Sequence, residues 1–213
     1  MQGVTIPVRR SRECTSYLRK RGITFEVAEQ MQMAYMESGY INKSVYRKRL
    51  LIPIYEKGEL ISVEGRDISG RQSTKVLYPK NSTVNTLYGL DTLDDSQPLY
   101  VVEGLLDLAV LRTDPHFANS TAIFGAQVTR RQVWLLNQFP QIILIPDNDK
   151  AGRGTTKKLI DELDYPFQIL DVPCTGDIKD IGDIPTKLHT TVEALRKRGW
   201  GRSLVLSSNR RVH

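Results

Sequence analysis

Three short stretches of this 213-residue chain place acidic side chains where they can act together. The apolar run LYVV at 99–102 is followed at once by Glu103 and Gly104. A second run, IILIP at 142–146, leads into Asp147, with Asp149 two residues on and Gly152 three further. A third stretch, TGDIKDIGD, carries Asp177, Asp180 and Asp183. Carboxylates held close together repel one another unless they are protonated or share a cation. With no His or Cys beside them, these hard oxygen donors suit Mg²⁺ or Mn²⁺ rather than zinc. The chemistry on offer is that of a divalent metal held by carboxylates.

Each piece alone has an ordinary explanation. An acid followed by glycine at a strand end most often caps a helix, and Asp107 can simply line the same helix face as Glu103. Asp-x-Asp-x-x-Gly is commonly a turn, because Asp and Asn favour turns and Gly152 tolerates positive φ. TGDIKDIGD reads equally as a solvated loop. Their order is more specific than any one of them: strand, Glu-Gly, helix; then strand, Asp-x-Asp-x-x-Gly, helix; then an acidic loop.

The elements that must position these acids follow from hydrophobic periodicity. After Pro98, short apolar runs (LYVVE, TAIFG, IILIPD, FQILDV) alternate with helical patterns at 104–114, 129–139, 150–163 and 185–198. Strands alternating with helices through short loops predict an α/β fold with a parallel sheet flanked by helices. Ligands of such sheets gather at the carboxyl ends of the strands, where Glu103 and Asp147 fall. Ahead of this, residues 12–37 predict two short helices broken at Gly22, the second capped by Thr24. RLLIPIY and LISVEGRDI predict a hairpin turning at Gly58. Residues 69–97 predict loops with one strand. The expected division is a smaller mixed α+β segment at 1–97, the α/β domain at 98–184, and a C-terminal helix with a basic tail at 185–213.

Charge divides along similar lines. The chain has 30 Lys+Arg against 24 Asp+Glu, but residues 1–50 carry ten against four, and 184–213 carry seven against one. Residues 98–183 carry eight against twelve. An acidic middle suited to metal is flanked by basic ends suited to phosphate backbones, or simply to solvent. With 40% apolar residues and 15 Gly, the composition excludes a wholly disordered or collagen-like chain. Cys14 and Cys174 form no C-x-x-C pair, which excludes a zinc ribbon within this sequence and fits a reducing compartment. No signal-peptide pattern or long uncharged apolar run is present, so a cytoplasmic setting with no membrane partner is expected.

VVEGLLD followed by IPDNDKAG resembles the TOPRIM domain shared by primases, some topoisomerases and several nucleases. The preceding YLRKRGI, RKRLLIPIYEKGELISVEGRDI, LYPKNS and TLYGLD resemble the amino-terminal subdomain of the DnaG-type primase catalytic core, and FGAQVTRRQVWLL and KDIGD fit that family's order. The likeness covers roughly residues 12–190. It implies a TOPRIM-type parallel sheet preceded by a basic subdomain, and a nucleotidyltransferase making short RNA primers on single-stranded DNA from NTPs with Mg²⁺ or Mn²⁺. It further implies that Glu103, Asp147 and Asp149 are catalytic, Glu103 as a metal ligand or general base and Asp147 and Asp149 as metal ligands. Asp180 and Asp183 would complete the metal site, and Asp107 would be an acid on the helix after Glu103. Arg49, Arg66, Lys75 and Lys80 would follow template and nucleotide phosphates.

The resemblance also implies partners. A DnaG-type primase usually has an upstream zinc-binding domain that helps choose the initiation site and a link to a replicative helicase. Neither has a counterpart in this sequence, which is expected to be a bare catalytic core, a split phage-type polypeptide acting in a host cytoplasm, or a fragment. Two other classes remain open: a TOPRIM nuclease using the same acids to cleave phosphodiesters, and a non-enzymatic nucleic-acid-binding replication module.

Overall fold

The computed structural model describes residues 2–125, 127–147, 150–163 and 167–169. The chain forms two compact units, Met1–Val84 and Asn85 onward.

The first unit is built on a five-stranded antiparallel sheet in sequential order, β1 (Gln2–Pro7), β2 (Ala34–Ile41), β3 (Ser44–Glu56), β4 (Glu59–Asp67) and β5 (Val76–Leu77). Between β1 and β2 lie two short helices, α1 (Arg12–Lys20) and α2 (Phe25–Gln30). The Ser11 hydroxyl accepts from the Cys14 N–H and the Thr24 hydroxyl from the Val27 N–H, so both helices start on a side-chain cap. The predicted helical stretch ends earlier than 37: α2 stops at Gln30, and residues 34–37 belong to β2. Their periodicity is overridden by pairing on both sides, Tyr35 opposite Ile6 and Leu50. The β3–β4 hairpin turns at Lys57 and Gly58, both at positive φ, as a tight two-residue hairpin requires. Asn42 and Lys43 make the same kind of turn between β2 and β3 without any glycine. Leu50, Ile52 and Ile54 of β3 are fully buried, as are Leu18 and Met31 from the helical segment.

The second unit is an α/β layer around a four-stranded parallel sheet of order β7-β6-β8-β9. These strands are β6 (Leu99–Val102), β7 (Ser120–Ala122), β8 (Ile142–Leu144) and β9 (Phe167–Ile169). Helices α3 (Leu105–Leu111), α4 (Arg130–Leu136) and α5 (Lys150–Glu162) connect them in turn. The near-continuous apolar strands are what a sheet covered on both faces needs. Leu99, Val101, Ile142 and Leu144 pack with Val133 and Leu136 of α4 and Leu159 of α5 in one buried cluster. A capping box fixes the start of α4: Thr129 accepts from the Gln132 N–H, and the Gln132 side chain accepts from the Thr129 N–H.

Segment 85–97 packs with this second unit rather than with the strands before it. Leu87 enters the same cluster. The Tyr88 N–H donates to the Ala122 carbonyl, the Thr121 hydroxyl to the Tyr88 carbonyl, and the Gln132 amide to the Thr86 carbonyl. The unit therefore begins at Asn85, ahead of the apolar run at 99–102 that announces it in the sequence.

Candidate metal and nucleotidyl-transfer site

The order β7-β6-β8-β9 sets the site. The chain leaves β6 toward β7 on one side, while β8 lies on the other, so the direction of the connections reverses between β6 and β8. At such a switch point the loops beyond two adjacent strands part and leave a crevice at their carboxyl ends. Glu103 follows β6 directly, and Asp147 lies three residues past β8. The pairs Leu99–Ile142 and Val101–Leu144 hold the two strands level, so both acids arrive at the same edge.

Glu103 is buried, at 6% exposure, and fixed from both sides. Its carbonyl accepts from the Gly125 N–H at 3.0 Å, extending the β6–β7 pairing. Its Oε1 accepts from the Asp147 main-chain N–H at 3.4 Å, on the β8 side. Gly152, in the first turn of α5, makes this approach possible. A Cβ there would stand 2.7 Å from Glu103 Oε1 and closer still to the Asp147 carbonyl oxygen. The glycine of Asp-x-Asp-x-x-Gly is thus required by close packing of helix against strand ends. It does not have positive φ, contrary to the turn interpretation.

Beneath the acids the walls are apolar: Val101, Ile123, Leu144, Ile145 and Leu159 line a small recess together with Glu103 and the buried Thr155. Low local polarity strengthens whatever charge interaction is made there. Two acidic residues delivered to one sheet edge offer hard oxygen donors of the kind that suit a divalent cation such as Mg²⁺. Among the described residues no third His, Cys, Asp or Glu completes a metal-sized cluster. Asp149, Asp180 and Asp183 lie outside the described residues.

Asp107 does not join this pair into a cluster. Its carboxylate lies over the N-cap of α3, where a Cβ on Gly104 would stand 2.5 Å from Asp107 Oδ2. One feature of the site carries no sequence signal: Phe124 has φ +64, in the left-handed region that non-glycine residues rarely adopt, immediately before Gly125 contacts Glu103.

The four basic candidates belong to the first unit and differ among themselves. Arg49 is 3% exposed and spends its guanidinium on main-chain carbonyls: those of Gly65 at 2.8 Å, Thr74 at 2.8 Å and Lys75 at 3.3 Å. It organises the backbone from inside. Arg66 is half-buried on β4, while Lys75 and Lys80 are exposed. Behind Arg66 lies a buried carboxylic acid that sequence reasoning did not single out. Burial pushes the Glu64 carboxyl above its usual range, partly offset by a 2.6 Å hydrogen bond from the Tyr78 hydroxyl and by Arg66. Its signal in the sequence is faint, a single Glu at an otherwise apolar strand position.

Comparison with known proteins agrees with this geometry. Residues 100–184 match the family model described as Toprim-like. The DNA primase of Thermotoga maritima is 27% identical over 176 residues, 72% of this chain and 31% of that protein. A structure of the DnaG primase catalytic domain bound to single-stranded DNA superposes with a TM-score of 0.71 at 20% identity, covering 94% of this chain and 74% of that one. The Aquifex aeolicus primase, with its zinc-binding and RNA polymerase domains, superposes with a TM-score of 0.72 at 23% identity, covering 91% and 57%. The chain spans about a third of the length of the curated relatives it matches. Among the described residues no helix is long and apolar enough to cross a membrane. Residues 100–184 therefore match a Toprim-like domain, the chain has the fold of the DnaG-type primase catalytic core, and its sequence is similar to those of bacterial DNA primases.

Proposed function

We propose that this chain is the nucleotidyl-transfer core of a DNA primase, joining NTPs into short RNA primers along single-stranded DNA. The observation that carries the proposal is the meeting of Glu103 and Asp147 across the switch point of the parallel sheet, Asp147 N–H on Glu103 Oε1. In this role Glu103 and Asp147, with Asp149, Asp180 and Asp183, hold Mg²⁺ or Mn²⁺. The divalent ion, when bound, neutralises phosphate charge and lowers the pKa of the attacking 3′-hydroxyl.

The chain's own residues supply position. Glu103 is locked by Gly125 and Asp147, so its carboxylate needs no reorganisation as charge develops at the α-phosphate. The apolar walls below it keep water from competing for the carboxylate on that side. Lys75, Lys80 and Arg66 attract the template and nucleotide phosphates, and Arg49 holds the backbone that carries Lys75. A zinc-binding domain and a replicative helicase, as separate chains or segments, are the partners this reading calls for.

Antiparallel strands and loops carrying cations, in the unit that precedes the Toprim-like domain in sequence, support polymerisation over the nuclease alternative, since phosphodiester cleavage needs only the acids. Labelled-NTP incorporation on single-stranded DNA with Mg²⁺ or Mn²⁺, run beside a nuclease assay, tests the reading. Incorporation that vanishes in Glu103→Gln and in Asp147→Asn, with both variants folded, is the expected result. Metal-dependent cleavage without incorporation would favour the nuclease.

A further inference from the structure

The segment between β4 and β5, residues 68–75 (ISGRQSTK), is polar and largely exposed, yet it is fastened at both ends. At its start, Asp67 Oδ1 accepts from the Ser69 N–H at 2.9 Å and the Ser69 hydroxyl at 2.7 Å, while Oδ2 accepts from the Gln72 N–H at 3.1 Å. At its end, the buried Arg49 guanidinium donates to the Thr74 and Lys75 carbonyls. The Asp67 N–H donates to the same Lys75 carbonyl at 2.9 Å. Burial alone would push the Asp67 carboxyl up, but the hydrogen bonds from Ser69 and Gln72, with the charge of Arg49, outweigh it and hold the group below its usual range.

This loop buries no large apolar side chain, so packing gives no reason for its order. Exposed loops normally keep their freedom, because fixing each residue costs about 1–2 kcal/mol of backbone entropy. Here a charged pair on the sheet, with Arg49 and Asp67 opposite one another in the β3–β4 register, is devoted to removing that freedom. What the clasp holds still is the backbone of Lys75, whose side chain is exposed.

We propose that Arg49 and Asp67 are positioning residues: they clasp both ends of loop 68–75 so that Lys75 is presented, preorganised, to a phosphate of the single-stranded template. The proposal rests on the primase reading for the identity of the ligand, but the clasp itself is a property of the free protein. A cation on a fixed backbone loses less entropy on binding than one on a mobile loop. Asp67 thus strengthens the binding of a polyanion despite carrying negative charge.

That sign makes the test sharp. Removing an acid near a phosphate site should tighten polyanion binding if only charge matters. A broken clasp should weaken it. The experiment pairs hydrogen exchange on the free chain with binding of fluorescent single-stranded DNA across a salt series, for wild type, Asp67→Ala, Asp67→Asn, Lys75→Ala and the Asp67→Ala/Lys75→Ala double variant. The Ser69 and Gln72 amides should exchange about tenfold faster in Asp67→Ala, as loss of charge-assisted hydrogen bonds implies, with the β3 and β4 amides unchanged. Lys75→Ala should weaken DNA binding and lower the salt slope by about one. Asp67→Ala should weaken binding several-fold, and the double variant should be no weaker than Lys75→Ala. Asp67→Asn, which keeps an acceptor for Ser69, should recover most of the affinity.

Unchanged Ser69 and Gln72 exchange, or tighter DNA binding in Asp67→Ala, would overturn the clasp while leaving Lys75 as a phosphate contact. Undiminished binding in Lys75→Ala would overturn the phosphate reading, and with it the proposed purpose of the clasp, even where exchange shows the loop released.

Discussion

The two units use buried charge in opposite ways. In the second, Glu103 is held at the edge of a parallel sheet by a main-chain N–H on each side, its side chain engaged by Asp147 and its carbonyl by Gly125. In the first, Arg49 and Glu64 sit in the middle of antiparallel strands and spend their polar atoms on the protein itself. A parallel sheet delivers side chains to one edge because its strands all end there. An antiparallel sheet has no such edge and delivers cations through the loops between strands. On the proposed function, the first unit holds a chain of phosphates and the second acts at one phosphorus.

Four perturbations break or sharpen this contrast. The largest effect is expected at the acids. Glu103→Gln and Asp147→Asn should each lower NTP incorporation on the order of 100-fold or more, measured by primer yield, with circular dichroism unchanged.

Next come two glycines, one in each unit. Gly152→Ala places a methyl against the Asp147 carbonyl and Glu103 Oε1. Gly65→Ala places one 2.6 Å from Tyr46 Cδ1 and closer to its Cε1. Both should destabilise by about 1–3 kcal/mol in denaturant melts, as overpacking does. In the folded fraction, incorporation should collapse in Gly152→Ala and survive in Gly65→Ala. Equal losses of activity would erase the distinction between the units.

A smaller effect separates two acids of the first unit by pH. The Glu64 carboxyl is raised by burial, so its share of stability is complete below the unfolded pKa, about 4.3, and is lost as pH rises through its folded pKa. Asp67 is held low, so its share is present above about 3.9 and is lost as pH falls through its folded pKa. Thermal melts from pH 3 to 8 should show Glu64→Gln removing a decline on the neutral side and Asp67→Asn removing one on the acid side.

The smallest effect is at Cys14, whose thiol is fully buried and pushed up to about 12 by that burial. It should ignore a thiol reagent at pH 8 until the first unit unfolds, and so report on that unit alone.

The second unit was the more legible in the sequence. Its apolar runs and helical stretches alternate, and each of the four runs from LYVVE to FQILDV overlaps an observed strand. Placement of Glu103 and Asp147 followed, because the acids sit directly after those runs. The first unit hid more. β1 and β2 went unseen because their order comes from partners distant in sequence and from a turn, Asn42–Lys43, with no glycine to mark it. The family resemblance assigns Arg49 to the phosphates; that its guanidinium turns inward to three carbonyls depends on where β4 and β5 pass, which no local pattern reveals. The polar stretch 69–97 reads as loops with one strand, yet Leu87 and the Tyr88 backbone tie its later part to β7 and the core beneath.

The central claim is that the acids meeting across β6 and β8 form a divalent-cation site. Titration of Mn²⁺ into the chain, followed by electron paramagnetic resonance, tests it without any substrate. Saturable binding in the wild type, weakened at least tenfold in both Glu103→Gln and Asp147→Asn and displaced by Mg²⁺, is the result expected. Binding that persists unchanged in both variants would place the metal elsewhere and contradict the account.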